Sequence, residues 1–411
     1  MSTKRNAILY LSYDGMTDPL GQSQVIPYLR GLSAKGYSIH LLSFEKQERF
    51  KLGRQTVEML LLEAGIVWHP LTYTASPPVL STLKDVARMR NAAKKLILRE
   101  KIALLHCRSY ISALVGLEMK RKYGTKFLFD MRGFWADERV DGNIWKLKNP
   151  LFRTIYKFFK RKEVQYLNEA DAIVSLTHNA ANEISSWKYF KGVSIDVIPC
   201  CADLNLFSAN EIQTDQKQAL RKDFRIANDA FVLSYLGSLG TWYMLNEMLD
   251  FYKVLLEYKP EAVFLFITAD KAEEVYLRAA ERNIAQNRIV VKRAARNEVP
   301  LFASISNLSV FFIRPSYSKK ASSPTKMGEL MAGGIPLVVN AGVGDVEQIM
   351  QDGGNGRVIS QFVASEYHRV CRELENILSE DPLRSVQCAQ KWYALDQGVA
   401  TYHSIYKRLL D

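Results

Sequence analysis

The sequence predicts an α/β protein with two tandem, doubly wound Rossmann-like domains. Three observations lead to this prediction. The chain has 411 residues, 48% hydrophobic and 24% charged, a composition typical of folded proteins and a length too great for one ordinary core. Short β-rich runs alternate with segments of helical periodicity along nearly the whole chain. These runs are continuously apolar, as in parallel strands that helices cover on both faces.

The first domain is predicted to comprise residues 1–200. Its strands are predicted at Ala7–Tyr13, Ser38–Phe44, Ile66–Tyr73, Ile102–Cys107, Lys126–Asp130, Ala172–Leu176 and Ser194–Ile198. The alternation then weakens across a polar stretch rich in Asn, Asp, Ser and Gln. We therefore assign residues 201–225 to an interdomain linker.

The second domain is predicted to comprise residues 226–390. Its strands are predicted at Phe231–Leu236, Ala262–Thr268, Ile289–Val291, Ser309–Ile313 and Ile335–Val339. In the remaining segment, residues 391–411, apolar side chains at Tyr402, Ile405, Tyr406 and Leu409 have helical spacing. This spacing predicts a final amphipathic helix that needs an apolar surface to cover.

Composition limits the class of partner and cofactor. The net charge of +12 favours anionic partners: phosphorylated metabolites, an acidic membrane surface or nucleic acid. No recognition helix, zinc finger or RNP aromatic motif is present, so we expect no nucleic-acid function. The five cysteines and six histidines lack metal-ligand spacing, so we expect no tightly bound metal or cofactor. The longest apolar runs are strand-sized, which predicts a cytoplasmic protein.

In open α/β sheets, ligands bind beyond the carboxyl ends of the strands, so the residues that follow each strand are site candidates. After the first strand, Gly21 and Gln22 belong to a small, polar loop that could bring backbone N–H groups close to a phosphate or sugar. An ordinary flexible connection is the alternative. Arg108 and Tyr110 follow the fourth strand, and an arginine there suits a diphosphate.

The fifth predicted strand leads into a segment that combines Arg132 with Asp137, Glu138 and two aromatic residues. Arginine could bind phosphate oxygens, while carboxylates and aromatic rings suit sugar hydroxyls and sugar faces. The alternative is a structural ion pair of Arg139 with Glu138 or Asp141.

In the second domain, Gly237 and Ser238 follow the first strand in a glycine turn that permits close backbone approach. The strongest motif lies further on. It is a short helix with well-marked ends, in which Ser323 is predicted as N-cap and Pro324 as the first helical residue, followed by Thr325.

Lys326 and Glu329 share one face of this helix, because they are three residues apart. Lys326 and the free N–H groups of the first turn predict a phosphate site. Glu329, one turn deeper, could accept two hydrogen bonds from a ribose diol. The alternative is an exposed ion pair between the two side chains.

These motifs together resemble the family 4 glycosyltransferases, in particular bacterial members that build capsule, lipopolysaccharide or exopolysaccharide chains. The resemblance extends over nearly the whole chain. It rests on the segments that begin at Asp18, Phe129, Ala170, Ile198, Tyr235 and Ser323.

The resemblance implies the GT-B architecture, in which two Rossmann-like domains face a central cleft. It implies a UDP- or GDP-sugar donor bound mainly by the second domain, an acceptor bound mainly by the first, and transfer with retention of configuration. It also implies a C-terminal helix that crosses back to the first domain. The nucleoside diphosphate would leave through an oxocarbenium-like transition state stabilised by phosphate-binding cations. No protein nucleophile is assigned; Asp137 or Glu138 could orient the acceptor hydroxyl.

The sequence departs from the family pattern at two places. The family's paired glutamates fall at Ala321 and Glu329, so the first is missing. The usual Arg and Lys after the first strand of the second domain fall at Ser238 and Tyr243. Lys326 could replace their charge, with Arg314, Arg108 and Arg132 as further candidates.

A basic amphipathic segment adds a possible partner. Between Lys146 and Lys162 there are seven basic residues and no acidic one, interleaved with apolar residues at roughly helical spacing. Such a helix suits an anionic membrane surface, and the expected acceptor is a saccharide that can be lipid-linked. The alternative is a domain helix whose aromatic side chains pack inward.

Rival functions remain open at the level of sequence. A nucleotide-sugar epimerase or a glycosyl phosphorylase can use the same two domains. A non-catalytic nucleotide-sugar binder is favoured by Ala321, Ser238 and Tyr243, and it would bind a donor without hydrolysing it.

Overall fold

The computed structural model describes residues 6–207 and 212–411 and divides the chain into two compact units. The first unit runs to Cys201 and also includes Leu395–Asp411, and the second unit comprises Ala202–Ala394. Each unit contains one parallel sheet with helices, so the predicted fold class of two Rossmann-like domains is confirmed.

The first unit has a seven-stranded sheet of order β3-β2-β1-β4-β5-β6-β7. Its strands are β1 Ala7–Ser12, β2 Ser38–Glu45, β3 Val67–Thr72, β4 Leu104–Arg108, β5 Lys126–Asp130, β6 Ala172–Ser175 and β7 Ile195–Val197. Its first eight helices are α1 Pro19–Gln24, α2 Ile26–Ala34, α3 Gln47–Glu63, α4 Leu80–Glu100, α5 Ser109–Tyr123, α6 Trp135–Asp141, α7 Pro150–Glu169 and α8 His178–Ser185. The central strands are almost entirely buried, which explains why they read as continuous apolar runs.

The second unit has a six-stranded sheet of order β10-β9-β8-β11-β12-β13. Its strands are β8 Val232–Leu236, β9 Val263–Ile267, β10 Ile289–Lys292, β11 Leu308–Phe311, β12 Leu337–Asn340 and β13 Gly356–Ile359. Its helices are α9 Thr214–Asp223, α10 Leu245–Tyr258, α11 Ala272–Ala280, α12 Val299–Ala303, α13 Thr325–Ala332, α14 Val346–Asp352, α15 Ala364–Arg372, α16 Leu374–Ser379 and α17 Pro382–Tyr393. Short 3-10 helices span Leu204–Phe207, Gln286–Arg288 and Tyr317–Ala321.

Two features of the second unit differ from the sequence-based expectation. Strand β13 was not predicted, because it has four residues, begins with Gly356 and carries the charged Arg357. A side-chain carbon at Gly356 would lie 1.9 Å from the carbonyl oxygen of Leu337, so the neighbouring strand requires glycine there. The range 201–225, assigned to a linker, contains α9, and its Leu204 and Phe207 are buried in the core of the second unit.

The last helix, α18 (Leu395–Leu410), belongs to the first unit. Its Tyr402 hydroxyl donates a hydrogen bond to Asp130 Oδ2 at 3.0 Å, and Tyr406 Oη lies 2.7 Å from Nδ1 of His106. Both tyrosines are buried in the apolar core of that unit. The apolar face of the last helix, predicted from the sequence, therefore packs into the core of the first unit.

Among residues 6–207 and 212–411, no helix is both long and apolar enough to cross a membrane.

Candidate functional site

Helix α13 of the second unit carries the strongest motif of the sequence. It connects the carboxyl-terminal side of β11 with β12, and it begins at Thr325. Pro324, not Ser323, is the N-cap residue, because its ψ of 107° is extended and outside the helical range. The predicted start was therefore wrong by one residue. Ser323 and Thr325 are half-buried beside this end.

Lys326 is buried among aromatic rings, with an exposed fraction of 8%. Its Nζ donates a hydrogen bond to the Tyr235 hydroxyl at 3.2 Å and lies 3.7 Å from the centre of the Tyr243 ring. Burial lowers the pKa of Lys326 to about 7, because an ammonium loses its hydration there, and Glu329 offsets only part of this effect. The site therefore holds a poorly solvated ammonium, which a bound anion would stabilise.

Gly237 and Ser238 form the turn that adjoins this ammonium. Gly237 has a φ of +117°, which disfavours any side chain, and a side-chain carbon there would lie 2.7 Å from Lys326 Nζ. The Tyr235 hydroxyl in turn donates to the backbone oxygen of Ser238. The glycine turn that follows β8 is therefore in contact with the ammonium group of Lys326.

Glu329 lies one turn deeper on α13, and its side chain is 6% exposed. Its Oε1 is 2.6 Å from Nη2 of Arg296, a residue that follows β10. Burial raises the pKa of Glu329, although Arg296 opposes the shift. The alternative of an exposed ion pair between Lys326 and Glu329 is wrong, since both residues are buried.

Two further cations, Arg314 and Lys319, lie over the ring of Trp242 near the same sheet edge. The Arg314 guanidinium lies 4.9 Å and the Lys319 ammonium 3.7 Å from the centre of its indole ring. The backbone N–H of Arg314 donates to the Trp242 carbonyl at 2.9 Å. Arg314 was predicted as a candidate replacement for the missing diphosphate cations, whereas Lys319, which is 5% exposed, was not predicted.

The loop after β1 in the first unit is held by a buried carboxylate. Glu45 accepts hydrogen bonds from the backbone N–H groups of Met16, at 2.8 Å, and Thr17, at 3.1 Å. Gly21 and Gln22 were predicted to lie in this loop, but both belong to helix α1. A side-chain carbon at Gly21 would lie 2.2 Å from the carbonyl oxygen of Gly15, so this glycine allows the helix to pack against the loop. Gln22 is exposed and donates to the Thr17 carbonyl at 3.4 Å.

Two arginines are buried at the ends of β4 and β5. Arg108 Nε lies 3.3 Å from Asp14 Oδ2, and Arg132 Nη1 lies 3.9 Å from Asp130 Oδ1, with both arginine side chains at most 6% exposed. Burial alone would raise the pKa of Asp130, but Arg132 and the hydrogen bond from His106 hold it below its ordinary value. Arg132 has a φ of +53°, a strained value for a non-glycine residue.

Two other predicted residues are committed to internal contacts. Tyr110 is fully buried and donates to Glu163, so it has no ligand-facing surface. Asp137 accepts hydrogen bonds from Tyr156 at 2.8 Å and from Lys160 at 2.9 Å, which fixes it to helix α7. The structure therefore does not support Tyr110 as an acceptor contact. Glu138 is half-buried on α6.

Arg296 is a second site residue, besides Lys319, that was not predicted from the sequence. It lies four residues beyond the end of β10, within the zone where ligand contacts are expected in such sheets. Examining that loop as closely as the loops after β1, β4 and β5 would have identified it. Its pairing with α13 could not be read from the sequence.

No cluster of three or more potential metal ligands occurs among the described residues.

Comparison with known proteins agrees with this arrangement. Residues 23–206 match the family described as Glycosyltransferase Family 4, and residues 216–390 match the family described as Glycosyl transferases group 1. A search of curated proteins gave no match.

Solved structures share the fold at low sequence identity. Sucrose-phosphate synthase from Thermosynechococcus elongatus is 14% identical, with a TM-score of 0.73 over 98% of this chain and 99% of that chain. HepE of Anabaena in complex with UDP-glucose is 16% identical, with a TM-score of 0.68 over 97% of this chain and 99% of that chain. WaaG, a glycosyltransferase involved in lipopolysaccharide biosynthesis, is 12% identical, with a TM-score of 0.63 over 96% of this chain and 99% of that chain.

Proposed function

Because the chain belongs to the family 4-like glycosyltransferases with the GT-B fold, we propose that it transfers a sugar from a nucleoside diphosphate sugar to a saccharide or lipid-linked acceptor, with retention of configuration. The observation that carries the proposal is the buried pair of Lys326 and Glu329 on α13. A cation suits the negative charge of a diphosphate, and a carboxylate one turn away can accept hydrogen bonds from the hydroxyls of the adjoining ribose.

Lys326 is proposed to stabilise the leaving diphosphate. The family's usual cations are replaced by Ser238 and Tyr243, yet the Lys326 ammonium lies over the Tyr243 ring and against the turn at Gly237. The Lys326 ammonium, which reaches this turn from α13, could neutralise the donor diphosphate in place of the missing cations. In a desolvated site an ammonium interacts more strongly with developing negative charge than it does in water. Arg314 is a second candidate for this role.

The donor is proposed to carry uridine or guanosine diphosphate, and uridine is the first to test. A solved structure of similar fold, HepE of Anabaena, is described in complex with UDP-glucose. Glu329 would accept hydrogen bonds from the ribose, and the leaving phosphate would take the acceptor's proton, so no protein nucleophile is needed.

The acceptor is proposed to bind the first unit. Arg108 and Arg132 are candidates for its contacts or for the diphosphate, since both are buried cations at the carboxyl edge of the sheet. Glu138 remains a candidate for orienting the acceptor hydroxyl. Asp137 is a weaker one, because Tyr156 and Lys160 already occupy its oxygens. The product would belong to a cell-surface polysaccharide.

Peripheral contact of the first unit with an anionic membrane is also proposed, with the protein at the cytoplasmic face. The first unit holds 33 Lys plus Arg against 20 Asp plus Glu, whereas the second holds 22 against 23. The excess positive charge thus belongs to one unit. On α7, Phe159 is buried, but Leu151 and Phe158 are 53% and 43% exposed, seven residues apart and interleaved with exposed basic residues.

Calorimetric titration tests the donor site directly. Wild-type protein, Lys326→Met and Glu329→Gln would be titrated with UDP, GDP, ADP and CMP, and release of UDP from UDP-glucose would be followed separately. We expect one nucleotide to bind, with affinity reduced at least tenfold in both variants. Lys253→Met, which removes an exposed lysine from α10, is the matched control and should bind like wild type.

The outcomes separate the rival functions. A folded protein that binds no nucleotide would contradict the transferase proposal. Binding without sugar transfer or hydrolysis would instead favour the non-catalytic binder, and release of an epimerised sugar without an acceptor would favour the epimerase.

A further inference from the structure

The pairing of Arg296 with Glu329 joins a half-exposed cation to a buried carboxylate. Arg296 is 47% exposed and Glu329 is 6% exposed, and their closest atoms are 2.6 Å apart. The guanidinium also lies 5.2 Å from the centre of the Phe207 ring. Arg296 is therefore held between an aromatic face and the acid, although its loop lies at the surface.

The physical chemistry of this pair is asymmetric. An exposed arginine that pairs with an exposed acid contributes little to stability, because water solvates both groups. Here the acid is desolvated, and without its partner it would be a buried, uncompensated charge. Such a carboxylate responds by taking up a proton. Arg296 therefore favours the ionised form of Glu329, together with the Lys326 ammonium one turn away, against the burial that favours the neutral acid.

That difference matters for a ribose. An ionised carboxylate offers acceptors to both hydroxyls of a diol, whereas a protonated one has lost part of this capacity. Hydrogen bonds to a charged acceptor are also stronger than those to a neutral one. The contact between Arg296 and Glu329 involves Oε1, so the carboxylate also has lone pairs directed elsewhere.

We propose that Arg296 is a positioning residue that keeps Glu329 ionised and oriented for the ribose diol, and that the pair makes the site selective for ribonucleotides over 2′-deoxyribonucleotides. This inference rests on the proposed function, because it assumes that a nucleotide binds beside α13. It adds a residue from the loop after β10 and a defined selectivity to that site.

The test compares ribo- and deoxyribonucleotides by calorimetric titration. UDP and 2′-deoxy-UDP, and in parallel GDP and 2′-deoxy-GDP, would be titrated into wild type, Arg296→Gln, Arg296→Lys and Glu329→Gln at pH 6.0 and pH 8.0. We expect wild type to prefer the ribonucleotide by about tenfold to a hundredfold, the range for hydrogen bonds to charged groups.

In Arg296→Gln the ribose preference should fall to about threefold or less at pH 6.0 and recover in part at pH 8.0, because a higher pH favours the ionised carboxylate. Arg296→Lys should keep most of the preference, since it restores the charge. Glu329→Gln should lose the preference at both pH values. Arg293→Gln is the matched control, because it removes an exposed arginine from the same loop, and it should keep the wild-type preference.

Two results would contradict the proposals separately. An unchanged ribose preference in Arg296→Gln, in a protein that still binds UDP or GDP, would overturn the role of Arg296 alone. A wild-type protein that binds neither ribonucleotide would overturn the proposed function itself. Circular dichroism of each variant checks that its fold is intact, and Arg296→Lys tests the same role with the charge retained.

Discussion

Replacing Lys326 with methionine should stabilise the second unit while weakening nucleotide binding. Methionine retains the apolar contacts with Tyr235 and Tyr243 but removes a buried ammonium. The native lysine lowers the free energy of unfolding, because its ammonium is buried against two aromatic rings and has lost its hydration. Sites that bind charged ligands commonly combine such local instability with function.

The magnitude follows from the pKa of Lys326, which falls from 10.5 to about 7 on folding. Because the folded-state pKa is lower, the unfolded chain binds more protons between these values, and stability rises with pH across that window. At 1.36 kcal/mol per pKa unit, the full effect is about 5 kcal/mol as an upper bound. Between pH 7.5 and pH 9.0 the wild-type protein should gain about 2 kcal/mol from this group.

Calorimetric unfolding at these two pH values checks the prediction. A gain of about 2 kcal/mol corresponds to about 4–8 °C for a unit of this size. Lys326→Met should lack this gain and should melt higher than wild type at pH 7.5. Lys253→Met, with an exposed lysine removed, should retain it. Identical pH dependence in wild type and Lys326→Met would refute the reasoning.

Three further predictions concern the first unit. The rings of His40 and His69 are stacked with their centres 5.4 Å apart, and burial lowers both pKa values. The stability of the first unit should therefore be lost as pH falls below about 6.5. His69→Gln should reduce the drop in melting temperature between pH 7.5 and pH 5.5. A larger drop in the variant would contradict this. Tyr402→Phe removes the hydrogen bond to Asp130 and should destabilise the unit by about 1–2 kcal/mol in urea unfolding; no change would show that the bond contributes nothing. Finally, the protein should sediment with vesicles containing anionic phospholipid and not with neutral ones, and 0.5 M salt should release it; equal binding to both would refute an electrostatic contact.

The alternation of buried strands and helices could be read from the sequence because it depends on local burial. A strand covered on both faces is largely apolar, and twelve of the thirteen strands among the described residues show such a run clearly enough to be predicted. Strand β13 does not, since a glycine and an arginine interrupt its four residues. Local geometry also placed Lys326 and Glu329 on one helix face, because a three-residue separation fixes their relative direction.

The contacts of the candidate site residues could not be predicted from the sequence. Tyr110 and Asp137 follow strands and carry suitable chemistry, yet packing turns both toward α7. The side chain of Arg296 reaches α13 from a different loop. Polar residues in such loops can face a ligand or a neighbouring helix, and only the packing of the elements decides between these.

The sequence by itself therefore determined the architecture of two parallel sheets, the basic character of the chain and the face on which Lys326 and Glu329 lie. Tertiary structure decided that Lys326 is buried between two tyrosines and that Glu329 pairs with Arg296. It also decided that α18 packs in the core of the first unit. The physical reason is that periodicity reports the environment of each element, whereas charge, solvation and pKa depend on which elements meet.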